Sequence, residues 1–170
     1  METTLNKIRE RSPCPNGWRN LLKYLDKVTA DDEPLSIVTI LKSNGVDDAL
    51  WCLSVVDGYE KEIRLYAVWC ARQVQHLMTD PRSIAALDVA ERYAHGEASV
   101  DELDAAWEDA RRAAFDAATW TVMRNAAAAA WGTAWAAWVV AWATVREAAR
   151  EAQKAELIRV CAEIESKEKV

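Results

Sequence analysis

The stretch NAAAAAWGTAWAAWVVAWATV, residues 125–145, contains no charged side chain and decides the fold. At 100° per residue its four tryptophans fall within an arc of about 60°, so they share one face of a helix. Two residues extend this face backwards, and we call the whole set the Trp stripe: Trp120, Arg124, Trp131, Trp135, Trp138 and Trp142. Phe115, Val122 and Val140 lie roughly opposite, which predicts a helix covered on two sides, as in a helical bundle.

Composition extends the helical prediction to the rest of the chain. The sequence has 170 residues with only five Gly and four Pro, and Ala fills 21 of the 51 positions from 105 to 155. Few helix breakers and abundant Ala favour helix, and this length suits one domain with one core. We therefore predict an all-α fold in which residues 1–170 form a single domain. This domain would be a bundle of about seven to nine helices around a central Ala/Trp-rich helix.

Caps and breakers divide this predicted domain into parts. Residues 1–56 form an N-terminal part of short helices, in which Pro34 follows three acidic residues and is expected at the first position of a third helix. Residues 57–97 form a helix pair. The second helix of that pair should begin with Asp80 as its N-cap and end at Gly96.

Residues 98–165 are predicted to form the long Ala/Trp-rich helices. Ser99, with a glutamate three residues later, is a capping box that opens them. Because about 70 residues exceed the usual length of a globular helix, we expect breaks near 118–124 and near 151–155. The tail, residues 166–170, should fray.

The Trp stripe has two interpretations. Tryptophans that face small Ala residues pack well inside a bundle, which makes the stripe part of the core. An exposed row of tryptophans would instead be an interface with a partner or the seam of a homodimer, because Trp dominates interface energetics.

Negative charge is concentrated in the first third of the chain. The net charge is −6 overall, and residues 31–58 carry −5 of local charge. We call its acidic residues the acidic patch: Asp31, Asp32, Glu33, Asp47, Asp48 and Asp57. Capping of helix starts explains acids at these places, whereas a binding patch would meet a basic surface of a partner protein. The acidic balance argues against direct binding of duplex nucleic acid.

The sequence offers no motif for catalysis, for a cofactor or for a metal. His76 and His95 are isolated, and the four cysteines lack the spacing of a zinc site, so we interpret them as free thiols. We predict that the protein is not an enzyme. An alternative is a helical module for a small ligand, whose pocket would lie between the fifth and sixth helices at Arg64, Arg72, His76 and Arg92.

A membrane location is not predicted. The uncharged run is just long enough to span a bilayer, but it consists mainly of Ala, and its tryptophans do not form two interfacial belts. Residues 1–10 have no apolar segment typical of a signal peptide, so we expect the protein in the cytoplasm.

Two segments resemble known groups of proteins. DDALWCL (residues 47–53) followed by IRLYAVWCARQVQHLMTDPRSIAALDVAERYAHGEAS (residues 63–99) resembles a recurrent module of phage and prophage hypothetical proteins. RNAAAAAWGTAWAAWVVAWATVREAAREA (residues 124–152) is similar to the Ala-rich helices of immunity proteins of bacterial toxin systems.

This resemblance implies a small helical protein that works by binding. It would neutralise a toxin, or, if encoded by a phage, block a host defence complex in the manner of an anti-CRISPR protein. The expected partner is a bacterial protein or defence complex in the cytoplasm, which is the host cytoplasm for a phage protein. A homo-oligomeric structural phage protein is a further alternative, with the Trp stripe as its homodimer seam.

Overall fold

The computed structural model describes residues 1–73, 75–78, 80–128 and 134–168, and for residues 77, 114–115, 117–128, 134–148 and 168 it describes the backbone alone. The chain forms two compact units. The first unit contains Met1–Ile63 and Arg150–Val170, and the second unit contains Arg64–Ala149. Eight α-helices and one two-stranded ribbon occupy the described residues, which confirms the predicted all-α class. The assignment of the whole chain to one domain stays a prediction.

The first unit starts with short elements. In chain order they are β1 (Glu2–Thr3), α1 (Leu5–Glu10), α2 (Pro15–Tyr24), β2 (Leu35–Ser36), α3 (Ile37–Asn44) and α4 (Val46–Cys52). A turn of 3₁₀ helix, Leu53–Val55, follows α4. The side chain of Thr4 accepts a hydrogen bond from the Lys7 N–H and caps α1, because α1 has no preceding turn to satisfy that donor.

The predicted start of the third helix at Pro34 is wrong. Leu35–Ser36 is extended and pairs antiparallel with Glu2–Thr3, so α3 begins at Ile37, where Ser36 accepts from the Thr39 N–H. α3 ends at Asn44, and the following Gly45 has φ +88°, a conformation that glycine adopts without strain.

The core of the first unit joins residues that are distant in sequence. The end of α8 (Ala134–Glu168), the last helix of the chain, supplies part of it. The fully buried large side chains of this core are Leu5, Ile8, Ile37, Ile40, Leu157 and Cys161. Burial of such side chains is the main stabilising contribution here, at roughly 1.5 to 3 kcal/mol for a fully buried aliphatic side chain.

The second unit contains longer helices. They are α5 (Glu60–Arg72), which starts in the first unit, α6 (Pro81–Ala94) and α7 (Val100–Ala128), with a 3₁₀ turn at Gln75–Leu77. The predicted caps of α6 are confirmed: Asp80 accepts from the Arg82 N–H, and Gly96, with φ +78°, lies just beyond its end. The capping box is confirmed as well, because the Ser99 N–H donates to Glu102 at 2.8 Å and the Glu102 N–H donates to Ser99 Oγ at 3.2 Å.

Both predicted helix breaks in the Ala-rich third are wrong. α7 continues through residues 118–124 to Ala128, and α8 continues through residues 151–155 to Glu168, which includes most of the tail expected to fray. Residues 129–133 lie outside the described part of the chain. Ala and the intrahelical ion pairs of Arg159 with Glu156 and Glu163 favour continuation of α8.

Candidate functional site

A cysteine between two prolines lies at the start of α2, on one side of the candidate site described below. Cys14 lies between Pro13 and Pro15, and the following proline holds it in the extended conformation, with φ −61° and ψ 138°. Cys14 therefore becomes the N-cap of α2, and its Sγ accepts a hydrogen bond from the Gly17 N–H at 3.2 Å. The thiol is exposed.

An asparagine at the end of α3 links this helix start to α4. Asn44 Nδ2 donates to the Gly17 carbonyl oxygen at 2.7 Å and to Asp48 Oδ2 at 2.7 Å. The Ser43 hydroxyl donates in turn to Asn44 Oδ1 at 2.7 Å and so fixes the orientation of the amide. These bonds hold α2, α3 and α4 together at one point, which we call the Asn44 clamp.

Glycine at position 17 allows this close approach. A Cβ added there would lie 2.5 Å from Asp48 Oδ2 and 2.9 Å from Cys14 Sγ, so the Asp48 and Cys14 side chains would have to shift. The space that a side chain would fill is thus occupied by the Asp48 carboxylate.

Next to the Asn44 clamp lies an apolar cavity of about 220 Å³, which we call the α2–α4 cavity. Buried side chains of the first unit line its interior: Ile8, Leu21, Ile40 and Cys52. Trp18 and Trp51 form part of its wall, and 40% of Trp51 is exposed. Pockets for drug-sized ligands measure roughly 300 to 1,000 Å³, so this cavity suits a single large side chain better.

Among the described residues that line the cavity, the two charged ones are both acidic. Asp48 is half-buried in the Asn44 clamp, whereas the Asp47 side chain is 66% exposed. Asp47 Oδ2 pairs with Arg150 Nη2 of α8 at 2.8 Å. Two members of the predicted acidic patch therefore border an apolar cavity with tryptophan walls, and one of them already contacts a guanidinium.

The other members of the acidic patch have partners inside the first unit. Lys27 Nζ lies 2.5 Å from Asp31 Oδ2 and 2.7 Å from Glu33 Oε2, and Lys7 Nζ lies 2.7 Å from Asp57 Oδ2. The hydrogen bond from Lys27 holds the pKa of Asp31 below its usual value, and that from Lys7 does the same for Asp57.

Asp32, the remaining member of the acidic patch, is exposed, and its Oδ1 lies 3.5 Å from Thr4 Oγ1. The negative charge of the acidic patch is thus distributed over several contacts within the first unit, and three of its six members pair with lysines.

In the second unit, the arginines of the predicted ligand pocket each contact different partners. The Arg64 guanidinium lies over the Tyr93 ring at 4.8 Å, and Arg72 Nη2 pairs with Asp88 at 2.8 Å and Glu91 at 2.6 Å.

Arg92 Nη2 contacts the Glu97 carbonyl oxygen at 3.0 Å and the Glu102 carboxylate at 3.3 Å, and His76 is exposed in the 3₁₀ turn. Each of the three arginines therefore has a partner of its own, and these contacts connect helices of the second unit.

The side chains that would decide between a core and an interface role of the Trp stripe lie outside the described part of the structure. Trp131 belongs to residues 129–133, and for the other members only the helical backbone is described: Trp120, Arg124, Trp135, Trp138 and Trp142. Both interpretations stay predictions.

Cys14, Cys52 and Cys161 are free thiols, as predicted, and their environments differ. Cys52 and Cys161 are buried, and burial raises the pKa of Cys52 to about 12 and that of Cys161 above its usual value. A thiolate is the nucleophilic and metal-binding form, so these two are unsuited to either role. Within the described ranges, no three His, Cys, Asp or Glu side chains come together as metal ligands would.

The comparisons with known proteins give no relative. No protein-family model, no curated protein and no solved structure matches this chain significantly. The resemblance to phage and immunity proteins therefore stays a prediction. Among the helices that the structure describes, none is both long enough and apolar enough to cross a bilayer.

The α2–α4 cavity was missed by the sequence analysis. The pattern that could have indicated it is the proline-flanked Cys14 followed by Trp18, together with Trp51 four residues after Asp47. Each pattern is local, but only the tertiary packing of α2 on α3 and α4 brings them to one place.

Proposed function

We propose that this chain is a non-enzymatic inhibitor that binds a bacterial protein and covers one of its functional surfaces. Toxin immunity and phage counter-defence, the latter anti-CRISPR-like, are the two settings that the resemblance implies. Its site of action would be the bacterial cytoplasm. The observation that carries the proposal is the α2–α4 cavity, whose tryptophan walls and acidic border lie on the first unit.

The dimensions of the cavity favour a protein partner over a small ligand. A cavity of about 220 Å³ holds one anchor side chain, and binding energy in protein interfaces concentrates where such an anchor enters a pocket next to Trp. The exposed part of Trp51 supplies apolar area that a partner would bury, with the acidic side chains at the polar rim.

The acidic border supports an effect on association as well as affinity. Asp47 and Asp48 border the cavity, and the surrounding residues 31–58 carry net negative charge. Charge of one sign near a binding site steers a partner of opposite charge and raises its association rate. We expect this rate to fall with added salt.

The test is affinity capture from a bacterial lysate with the full chain, compared with two tryptophan variants. Trp51→Ala removes part of the cavity wall, whereas Trp107→Ala is the matched control, because Trp107 is exposed on α7 in the second unit. The proposal expects one stoichiometric bacterial protein, retained by Trp107→Ala and lost by Trp51→Ala.

The captured protein must then lose its activity when the chain is added in equimolar amount. A captured enzyme or toxin that keeps full activity would contradict inhibition. Equal capture by both tryptophan variants would show that the α2–α4 cavity is not the contact surface.

Charge reversal tests the acidic patch separately. Reversal of Asp47 and Asp48 should abolish capture, while reversal of Asp31 and Asp32, whose surroundings include Lys27 and Thr4, should weaken it less. If binding survives reversal of all four residues, the acidic patch is not a binding site.

A further inference from the structure

We infer that the occupant of the α2–α4 cavity is a protein segment with one apolar anchor side chain beside an Arg or Lys, and that Arg150 competes with this cation for Asp47. The inference rests on the proposed function and deepens it, because it names the chemistry of the partner surface and an internal competitor.

The first step concerns the anchor. The interior of the cavity is apolar, with Ile8, Leu21 and Ile40 among its lining residues, and its walls include Trp18 and Trp51. An apolar side chain that enters this space leaves water for a closely packed apolar environment, which is favourable without any specific direction. The anchor therefore contributes affinity, and the neighbouring charges must determine which segment is selected.

The second step concerns charge. Both charged lining residues, Asp47 and Asp48, are acidic, and Asp48 is held in the Asn44 clamp. Asp47 is the more exposed of the two and presents its carboxylate at the edge of the cavity. A basic side chain next to the anchor gains a charge-assisted contact there, whereas an acidic one is repelled.

The third step is the contact that already exists. Arg150 Nη2 lies 2.8 Å from Asp47 Oδ2, which shows that a guanidinium reaches this carboxylate from the direction of α8. The Arg150 side chain is 33% exposed and that of Asp47 is 66% exposed, so the pair lies at the surface, where ion pairs are weak and exchangeable. A partner cation can displace Arg150 at a small cost.

Competition predicts the direction of the effect. Arg150→Gln should strengthen the binding of a basic segment, because it removes the internal cation that occupies Asp47. We expect the dissociation constant to fall about two- to fivefold, the range that a weak surface pair allows. Arg159→Gln is the matched control, because Arg159 lies on the same helix and pairs with Glu156 and Glu163 of that helix.

The probe is a library of random peptides displayed on phage, selected against the full chain and counter-selected against Trp51→Ala. Selected peptides are synthesised, and their dissociation constants are measured by fluorescence anisotropy with the wild type, Arg150→Gln, Arg159→Gln, Asp47→Asn and the double variant Arg150→Gln/Asp47→Asn. Circular dichroism confirms that each variant is folded.

The expected result has three parts. Selected peptides carry an apolar residue within one helical turn of an Arg or Lys. They bind Arg150→Gln about two- to fivefold more tightly than wild type and bind Arg159→Gln like wild type. The gain disappears in the Asp47→Asn background, because the residue for which the two cations compete is then neutral.

Other outcomes overturn the inference and remain distinguishable from failure of the proposed function. Cavity-dependent peptides without basic residues, or a gain that persists with Asp47→Asn, would exclude the basic occupant and the competition. An empty selection together with concentration-dependent self-association that Trp51→Ala abolishes would assign the cavity to a second copy of this chain. In these cases, lysate capture that still depends on Trp51 keeps the proposed function.

Discussion

Asn44→Ala tests the Asn44 clamp, on which the geometry of the α2–α4 cavity depends. The substitution removes one hydrogen bond to the Gly17 carbonyl oxygen and one to the Asp48 carboxylate, both at 2.7 Å and partly buried. A neutral hydrogen bond contributes about 0.5 to 1.5 kcal/mol and one to a charged group about 1.5 to 3 kcal/mol. Because Ala is the better helix former by about 0.5 kcal/mol, the expected net loss of unfolding free energy is about 1.5 to 4 kcal/mol.

The assay must resolve the first unit, since a chain with two compact units need not unfold in a single two-state transition. Amide hydrogen exchange of α2, α3 and α4, measured by mass spectrometry in increasing urea, gives the free energy of that unit. Asn20→Ala is the control, because Asn20 is exposed on α2 and its replacement should change stability by less than about 0.5 kcal/mol. If Asn44→Ala exchanges as slowly as the control, the clamp contributes nothing and this reasoning is wrong.

Three further predictions concern other contacts. Gly17→Ala should destabilise the first unit by about 1 to 3 kcal/mol despite the better helix propensity of Ala, because the new Cβ would lie 2.5 Å from Asp48 Oδ2; an unchanged melting temperature would contradict this. Ser99→Ala should destabilise the start of α7 by about 1 kcal/mol at neutral pH, measured by amide exchange. The Ser99 backbone N–H, which Ser99→Ala keeps, holds the pKa of Glu102 below its usual value, so the stabilisation from the Glu102 carboxylate is complete above the usual pKa and is lost as the pH falls through the lowered one. Glu102→Gln should therefore be less stable than wild type at neutral pH and approach it in acid. Maleimide should modify Cys14 first, with the two buried thiols reacting only on unfolding, and mass spectrometry of the native protein over time decides the order.

Features specified by neighbouring residues were predicted correctly from the sequence. The N-cap Asp80, the glycine after α6 and the capping box at Ser99 each depend on side chains within a few positions of the helix end. Steric limits on the backbone and the unpaired N–H groups of a first turn give such residues their roles independently of the rest of the fold.

Features specified by distant residues were not predicted. Leu35–Ser36 is extended because Glu2–Thr3, more than 30 residues earlier, supplies hydrogen-bond partners, and no local property of Pro34 indicates this. The breaks expected in the Ala-rich third failed for the opposite reason. Typical helix lengths are averages, whereas the local composition of α7 and α8 favours helix at nearly every position.

The candidate site shows the same limit for charge. The acidic residues between positions 31 and 57 are close in sequence, but a sequence does not show which basic side chain folds against each of them. Lys7 and Lys27 pair with Asp57 and Asp31, and Arg150 reaches Asp47 from the far end of the chain.

The same reasoning applies to the arginines of the second unit. Arg72 belongs to the ligand pocket predicted from the sequence, yet Asp88 and Glu91 of α6 neutralise it. A cluster of like charges in a sequence therefore indicates a binding surface only where the fold leaves it beside exposed apolar area. We propose Asp47 as such a residue, because its exposed carboxylate lies at the edge of a cavity walled by Trp51 and its ion pair with Arg150 is a weak surface pair.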